Sequence, residues 1–173
     1  MTGAVWALHS AARSGDLDLV VSMLAAGADV NAQSWNDNTP MHDATEAGRG
    51  AVVRALLEAR ASTEVPNELG FTPLHMAASL GYTEIAHQLL QADADPRALD
   101  GDGNTPLQVA REHSSGAAVH LLRNWVHDKR GTALAMALHP RLGVDSPANM
   151  LEAEMLRLVL EHVDSGVRNG SLH

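Results

Sequence analysis

Four segments of this chain stand in register at intervals of 33 residues: Trp6-Ala7-Leu8-His9, Thr39-Pro40-Met41-His42, Thr72-Pro73-Leu74-His75 and Thr105-Pro106-Leu107-Gln108. A fixed period of this size belongs to stacked arrays, in which one unit is too small to bury its own apolar face and about three or more are needed for stability. The third unit shows how each is built. Thr72 caps a first helix and Pro73 takes its first position, where a missing N–H is harmless. Leu74, Ala77 and Ala78 face the neighbouring units, and the small alanines let helices approach closely. Gly81 supplies a sharp turn. Ile85, Ala86, Leu89 and Leu90 then give the apolar stripe of a second helix. The chain leaves through Asp93-Ala94-Asp95-Pro96 on a loop to the next unit.

The run Thr-Pro-Leu-His, followed by small residues, a glycine turn and a second apolar segment, resembles the ankyrin repeat over roughly residues 4–125. The resemblance implies an all-α solenoid of helix-turn-helix units with finger loops, completed by C-terminal capping helices. It divides residues 1–125 into an N-terminal capping repeat with a solvated outer face (1–33), two internal repeats (34–66 and 67–99) and an atypical last repeat (100–125). In that family the histidine of the motif ties the first helix to adjacent loops. The recurrence of His9, His42 and His75 therefore argues for a structural part and against a metal ligand or catalytic base. Gln108, in the same place, can still donate and accept hydrogen bonds. Gly27 closes the second helix of the first unit. Arg60 and Asp93 stand at the matching positions, where a left-handed backbone would strain them, Asp less than Arg. Ser114 takes a glycine position in the fourth unit. The apolar set after it (Val119, Leu121, Leu122, Trp125) reads as shifted by one residue.

Composition narrows the function. Aromatic residues are only 3% of the chain, so the core has to come from Ala, Leu, Val and Met. The net charge is −9, and residues 1–125 hold 15 acids against 7 bases. An acidic array repels phosphate backbones, which disfavours nucleic acid and favours a basic protein or peptide with apolar anchors. The chain has no cysteine, which removes disulfides, thiolate metal sites and cysteine nucleophiles. No secretory signal and no membrane-length apolar run is visible, so the expectation is a cytoplasmic or nuclear monomer with no membrane partner. No cofactor, metal or catalytic residue is expected. Asp100-Gly-Asp-Gly-Asn104 opens like a calcium loop, but Thr105 and Arg111 stand where that loop needs glycine and an acid. His113, His120 and His127 would share a face only if one helix ran through Ser114-Ser115-Gly116, which reads as a break.

Residues 126–164 read as a helical extension and 165–173 as a disordered tail. Ser146-Pro147 is a helix start, and Leu151, Met155, Leu158, Val159 and Val163 make an amphipathic stripe. The expected use is to cover the open end of the array. A second use is to dock an adaptor onto a larger assembly. Residues 151–160 faintly resemble the opening helix of an F-box from ubiquitin ligases, without its usual proline. A third reading is a regulatory fragment of an enzyme whose catalytic part lies elsewhere.

The leading expectation is a non-catalytic interaction scaffold that binds through its finger loops and the concave face of its first helices. Mapped by register, the partner-binding set on the first helices is Asp43, Glu46, Met76, Ser79, Leu80, Val109, Glu112 and His113. On the fingers it is Trp35, Asn36, Glu68, Leu69, Phe71 and Asp102. Trp35, Phe71, Met76, Leu80 and Val109 would form an apolar strip, flanked by Asp43, Glu46, Glu68, Asp102 and Glu112. An exposed tryptophan at a variable position is a hot-spot candidate.

Overall fold

Paired helices repeat along a computed structural model that describes residues 3–126. They are α1 (Gly3–Ser14), α2 (Leu17–Ala25), α3 (Pro40–Glu46), α4 (Gly50–Glu58), α5 (Pro73–Leu80), α6 (Thr83–Gln91) and α7 (Pro106–Glu112). Helical backbone resumes at 116–126, and no strand occurs among the described residues. First helices pack in sequence, α1 on α3, α3 on α5 and α5 on α7. Second helices do the same, α2 on α4 and α4 on α6, and α1, α3 and α5 each pack on their own second helix. The result is a two-layered, all-α solenoid. The expected helical extension beyond residue 126 and the tail from 165, with their capping or adaptor use, lie outside the described residues.

The period fixes the core. Leu8, Met41 and Leu74 are buried in one register, and Ala11, Ala44, Ala77 and Ala110 in another. Alanine there keeps successive first helices close. The second helices contribute Val20, Val53 and Ala86, then Leu56, Leu89 and Leu122. Ala118 and Leu122 fall 33 residues after Ile85 and Leu89, and all four are buried. The fourth unit is therefore in register, and the expected one-residue shift does not occur. The apolar residues Val119, Leu121 and Trp125 that suggested the shift pack only partly against the core. The turn at Ser114 keeps the helix start at 116 in phase.

Helix ends follow local chemistry. Proline opens α3, α5 and α7, each after a threonine in extended backbone. The first unit has Trp6-Ala7 in place of Thr-Pro, so nothing halts the helix there and α1 runs back to Gly3. Left-handed backbone recurs in three registers, one of them at the finger tips (Asp37, Gly70 and Gly103, at φ 59°, 75° and 82°). Gly15, Gly48, Gly81 and Ser114 hold another, at φ 86°, 69°, 73° and 56°. Gly27, Arg60 and Asp93 hold the third, at 88°, 64° and 63°. The outer face of the first unit is exposed as expected, but it is not polar. Leu19 is 44% exposed, whereas Val52 in the same register is 1% exposed. Leu17 and Val21 are also open to solvent. Leu19 keeps the residue type of an internal unit, although none of the described units covers it.

Candidate functional site

The fingers are the loops 26–39, 59–72 and 92–105, and each closes on itself in the same register. Ser34 N–H donates to the Asn38 carbonyl at 2.8 Å, Asn67 to Phe71 at 2.9 Å and Asp100 to Asn104 at 2.9 Å. In the second and third fingers the side chain of that same first residue also holds the tip. Asn67 Oδ1 accepts from Leu69 and Phe71 N–H, both at 3.0 Å. Asp100 Oδ1 accepts from Asp102 and Asn104 N–H at 2.9 and 2.8 Å. The carboxylate that opened the calcium-like motif is thus committed to a turn.

Neighbouring fingers are bonded to each other. Glu68 N–H donates to the Asn36 carbonyl at 3.2 Å, and Gly101 N–H to the Leu69 carbonyl at 3.0 Å. Asn67 Nδ2 donates to Asn38 Oδ1 at 3.0 Å. The approach leaves no room for a side chain, since a Cβ on Gly70 would lie 2.3 Å from the Gly101 nitrogen. The row of fingers is therefore preorganised, with Trp35 and Leu69 at its tips, 71% and 63% exposed.

Histidines join fingers to helices. His42 Nδ1 accepts from Thr39 N–H at 3.1 Å, so the neutral ring carries its proton on Nε2, which donates to the Phe71 carbonyl at 2.9 Å. His75 repeats this with Thr72 N–H at 3.3 Å and the Asn104 carbonyl at 3.1 Å. Burial pushes both rings below the usual 6.5, against the raising effect of those carbonyls. Gln108 reproduces the capping half, with Oε1 accepting from Thr105 N–H at 2.8 Å. Phe71 lays its ring on His75, centroids 5.6 Å apart.

His9 departs from the pattern because position 6 is tryptophan and offers no threonine to cap. Its Nε2 still reaches a finger, at the Ala32 carbonyl 3.0 Å away, but its Nδ1 faces Asp43 Oδ2 at 2.5 Å. Arg13 donates to Asp43 Oδ1 at 2.8 Å and to Glu46 Oε2 at 2.6 Å. Burial works to raise the Asp43 carboxyl. The hydrogen bonds from His9 and Arg13, with their electrostatic attraction, outweigh it and hold Asp43 below its ordinary 3.8.

The sequence-derived binding set divides accordingly. Trp35, Leu69 and Leu80 are exposed, as are Glu46, Glu68, Asp102, Glu112 and His113. Asn36, Phe71, Met76 and Ser79 are half-buried. Asp43 and Val109 are not surface residues: they are 5% and 2% exposed. Asp43 is covered by its bonds to His9 and Arg13, and the expected apolar strip ends before Val109. His113 sits at the end of α7 and is not on the helix that carries His120, so the seven-residue histidine spacing makes no shared face there.

Sequence reasoning passed over Trp6 as a binding residue. It is 52% exposed and lines a cleft of about 280 Å³ with Trp35, His9, Arg13, Asp43 and the polar side chains between them. The available signal was an aromatic residue where the other units carry threonine.

No curated protein matches the chain. A family model described as ankyrin repeats (3 copies) matches residues 8–100 and, in a second placement, 55–131. With the 33-residue period, the proline-started first helices and the bonded row of fingers, that match shows that the chain belongs to the ankyrin repeat family, whose members are generally protein–protein interaction modules.

Proposed function

We infer that this chain is a non-catalytic scaffold that binds a basic protein or peptide across its finger tips and the open face of its first helices. The observation that carries this reading is the charge and exposure of the fingers. Loops 26–39, 59–72 and 92–105 together hold eight acids and two arginines. Trp35 and Leu69 stand out from that acidic row, and Leu80 is open at the end of α5. A preorganised, acidic surface with separate apolar anchors suits an extended cationic segment carrying apolar side chains. The anchors provide desolvated contact, while the acids steer association and exclude phosphate backbones.

The test is affinity capture with the full chain, comparing the wild type with Trp35→Ala/Leu80→Glu. Both residues are exposed, so circular dichroism is expected to show an unchanged helical fold. Partners retained by the wild type and lost by the variant support the reading. Partners retained equally by both would move the binding face elsewhere.

A further inference from the structure

The cleft between α1 and the first finger holds two exposed indoles. Trp6 comes from the helix and Trp35 from the finger tip. Neither belongs to the core, so their rings are open to a ligand. The charges already within the cleft are paired. Arg13 lies against both Asp43 and Glu46, and His9 against Asp43, so the two basic side chains face two carboxylates and leave no unmatched positive charge. Two exposed acids neighbour the lining residue Asn36: Asp37 follows it in the chain, and the Glu68 N–H donates to its carbonyl. At about 280 Å³ the space fits one long side chain and falls just below the usual range for whole small-molecule sites.

We propose that this cleft receives one cationic side chain, arginine or lysine, of a basic peptide partner, held against the indoles of Trp6 and Trp35. The proposal rests on the partner reading given above and specifies its anchor. Indole is the strongest aromatic partner for a cation, and an arginine can stack its planar guanidinium on a ring while its edge donates to nearby oxygens. The serine and asparagine side chains of the lining, Ser10, Ser34 and Asn36 among them, supply such acceptors.

The test titrates the isotope-labelled full chain with a peptide of alternating arginine and serine, and with its citrulline counterpart, which keeps the shape and removes the charge. The three indole N–H signals are followed by NMR and assigned through Trp6→Leu and Trp35→Leu, which keep apolar bulk and remove the ring. The expected result is that the arginine peptide moves the Trp6 and Trp35 signals and leaves Trp125 in place. Citrulline leaves all three unmoved at the same concentration, and Trp35→Leu weakens arginine-peptide binding about tenfold.

If the arginine peptide binds without moving these indoles, or binds Trp35→Leu as tightly, the acidic fingers alone hold it. The cleft assignment then fails while the scaffold reading stands. Equal shifts with the citrulline peptide overturn the cationic occupant. No binding of the arginine peptide overturns both this proposal and the basic-partner reading.

Discussion

Replacing Arg60 by glycine is expected to stabilise the protein. Arg60 lies one residue past Ala59, the C-cap of α4, with φ 64°. Its N–H donates to the Leu57 carbonyl at 3.0 Å, and the next N–H, of Ala61, to the Leu56 carbonyl at 2.9 Å. The first unit makes the same pair of bonds with glycine in this place: Gly27 to Leu24 and Ala28 to Met23, both at 3.0 Å. The geometry is thus already compatible with glycine. A left-handed backbone costs an L-residue about 1–2 kcal/mol. Against this, glycine gives the unfolded chain extra freedom, worth roughly 0.5–1 kcal/mol. Arg60 is exposed, so little packing is lost. The net gain is about 0.5–1 kcal/mol, which for an array of this size corresponds to a rise in Tm of about 2–5 °C. Thermal and urea melts followed by circular dichroism measure it, with Arg60→Ala as the control, since alanine removes the side chain and keeps the strain. Stability of Arg60→Gly equal to or below the wild type would refute the reasoning. So would an equal gain in Arg60→Ala, which would place the effect in the arginine side chain.

Two further outcomes follow from the buried groups. Thr45 is fully buried with its hydroxyl unsatisfied, while the same register position is alanine in the first and third units (Ala12 and Ala78). Thr45→Ala is therefore expected to stabilise by about 0.5–1 kcal/mol, the relief of the hydroxyl and better helix propensity outweighing one lost methyl; a destabilised urea midpoint would contradict this. Stability is also expected to fall with acid in two stages. His42 and His75 have folded pKa values below 6.5, so their contribution is complete above that pH and is lost as pH falls through the folded values. Asp43 has a folded pKa below 3.8, so its contribution is lost only below that pH. Tm measured across pH checks both stages: the double variant His42→Gln/His75→Gln should flatten the first and Asp43→Asn the second, and profiles that kept both stages in these variants would exclude the assignment.

Much of the fold is legible in the chain because it is written in local chemistry repeated at a fixed interval. Thr39-Pro40 and Thr72-Pro73 start helices through their own backbone geometry. Arg60, Asp93 and Ser114 stand where sister units carry glycine, and all three adopt left-handed backbone. The reading weakened where one residue type had to stand for a whole pattern. Leu122 and Ala118 are in register, but the smaller Ala118 carries little apolar signal beside Leu121 and Trp125, and a shift was inferred from the larger residues.

The sequence by itself determined the period, the helix caps, the left-handed turns and the acidic fingers, because each depends on residues a few positions apart or on a count. Only the tertiary structure decided which positions of the first-helix face are open. Ser10, Asp43, Met76 and Val109 share one register, yet Asp43 and Val109 are buried, Met76 is half-buried and Ser10 is exposed. Asp43 is covered by Arg13 and His9, 30 and 34 residues away, through bonds available because Trp6 left His9 without its usual cap. The cleft between Trp6 and Trp35 has the same origin. Its walls come from a helix and a finger that meet only when the units stack, and exposure is a property of neighbours in space that no single repeat encodes.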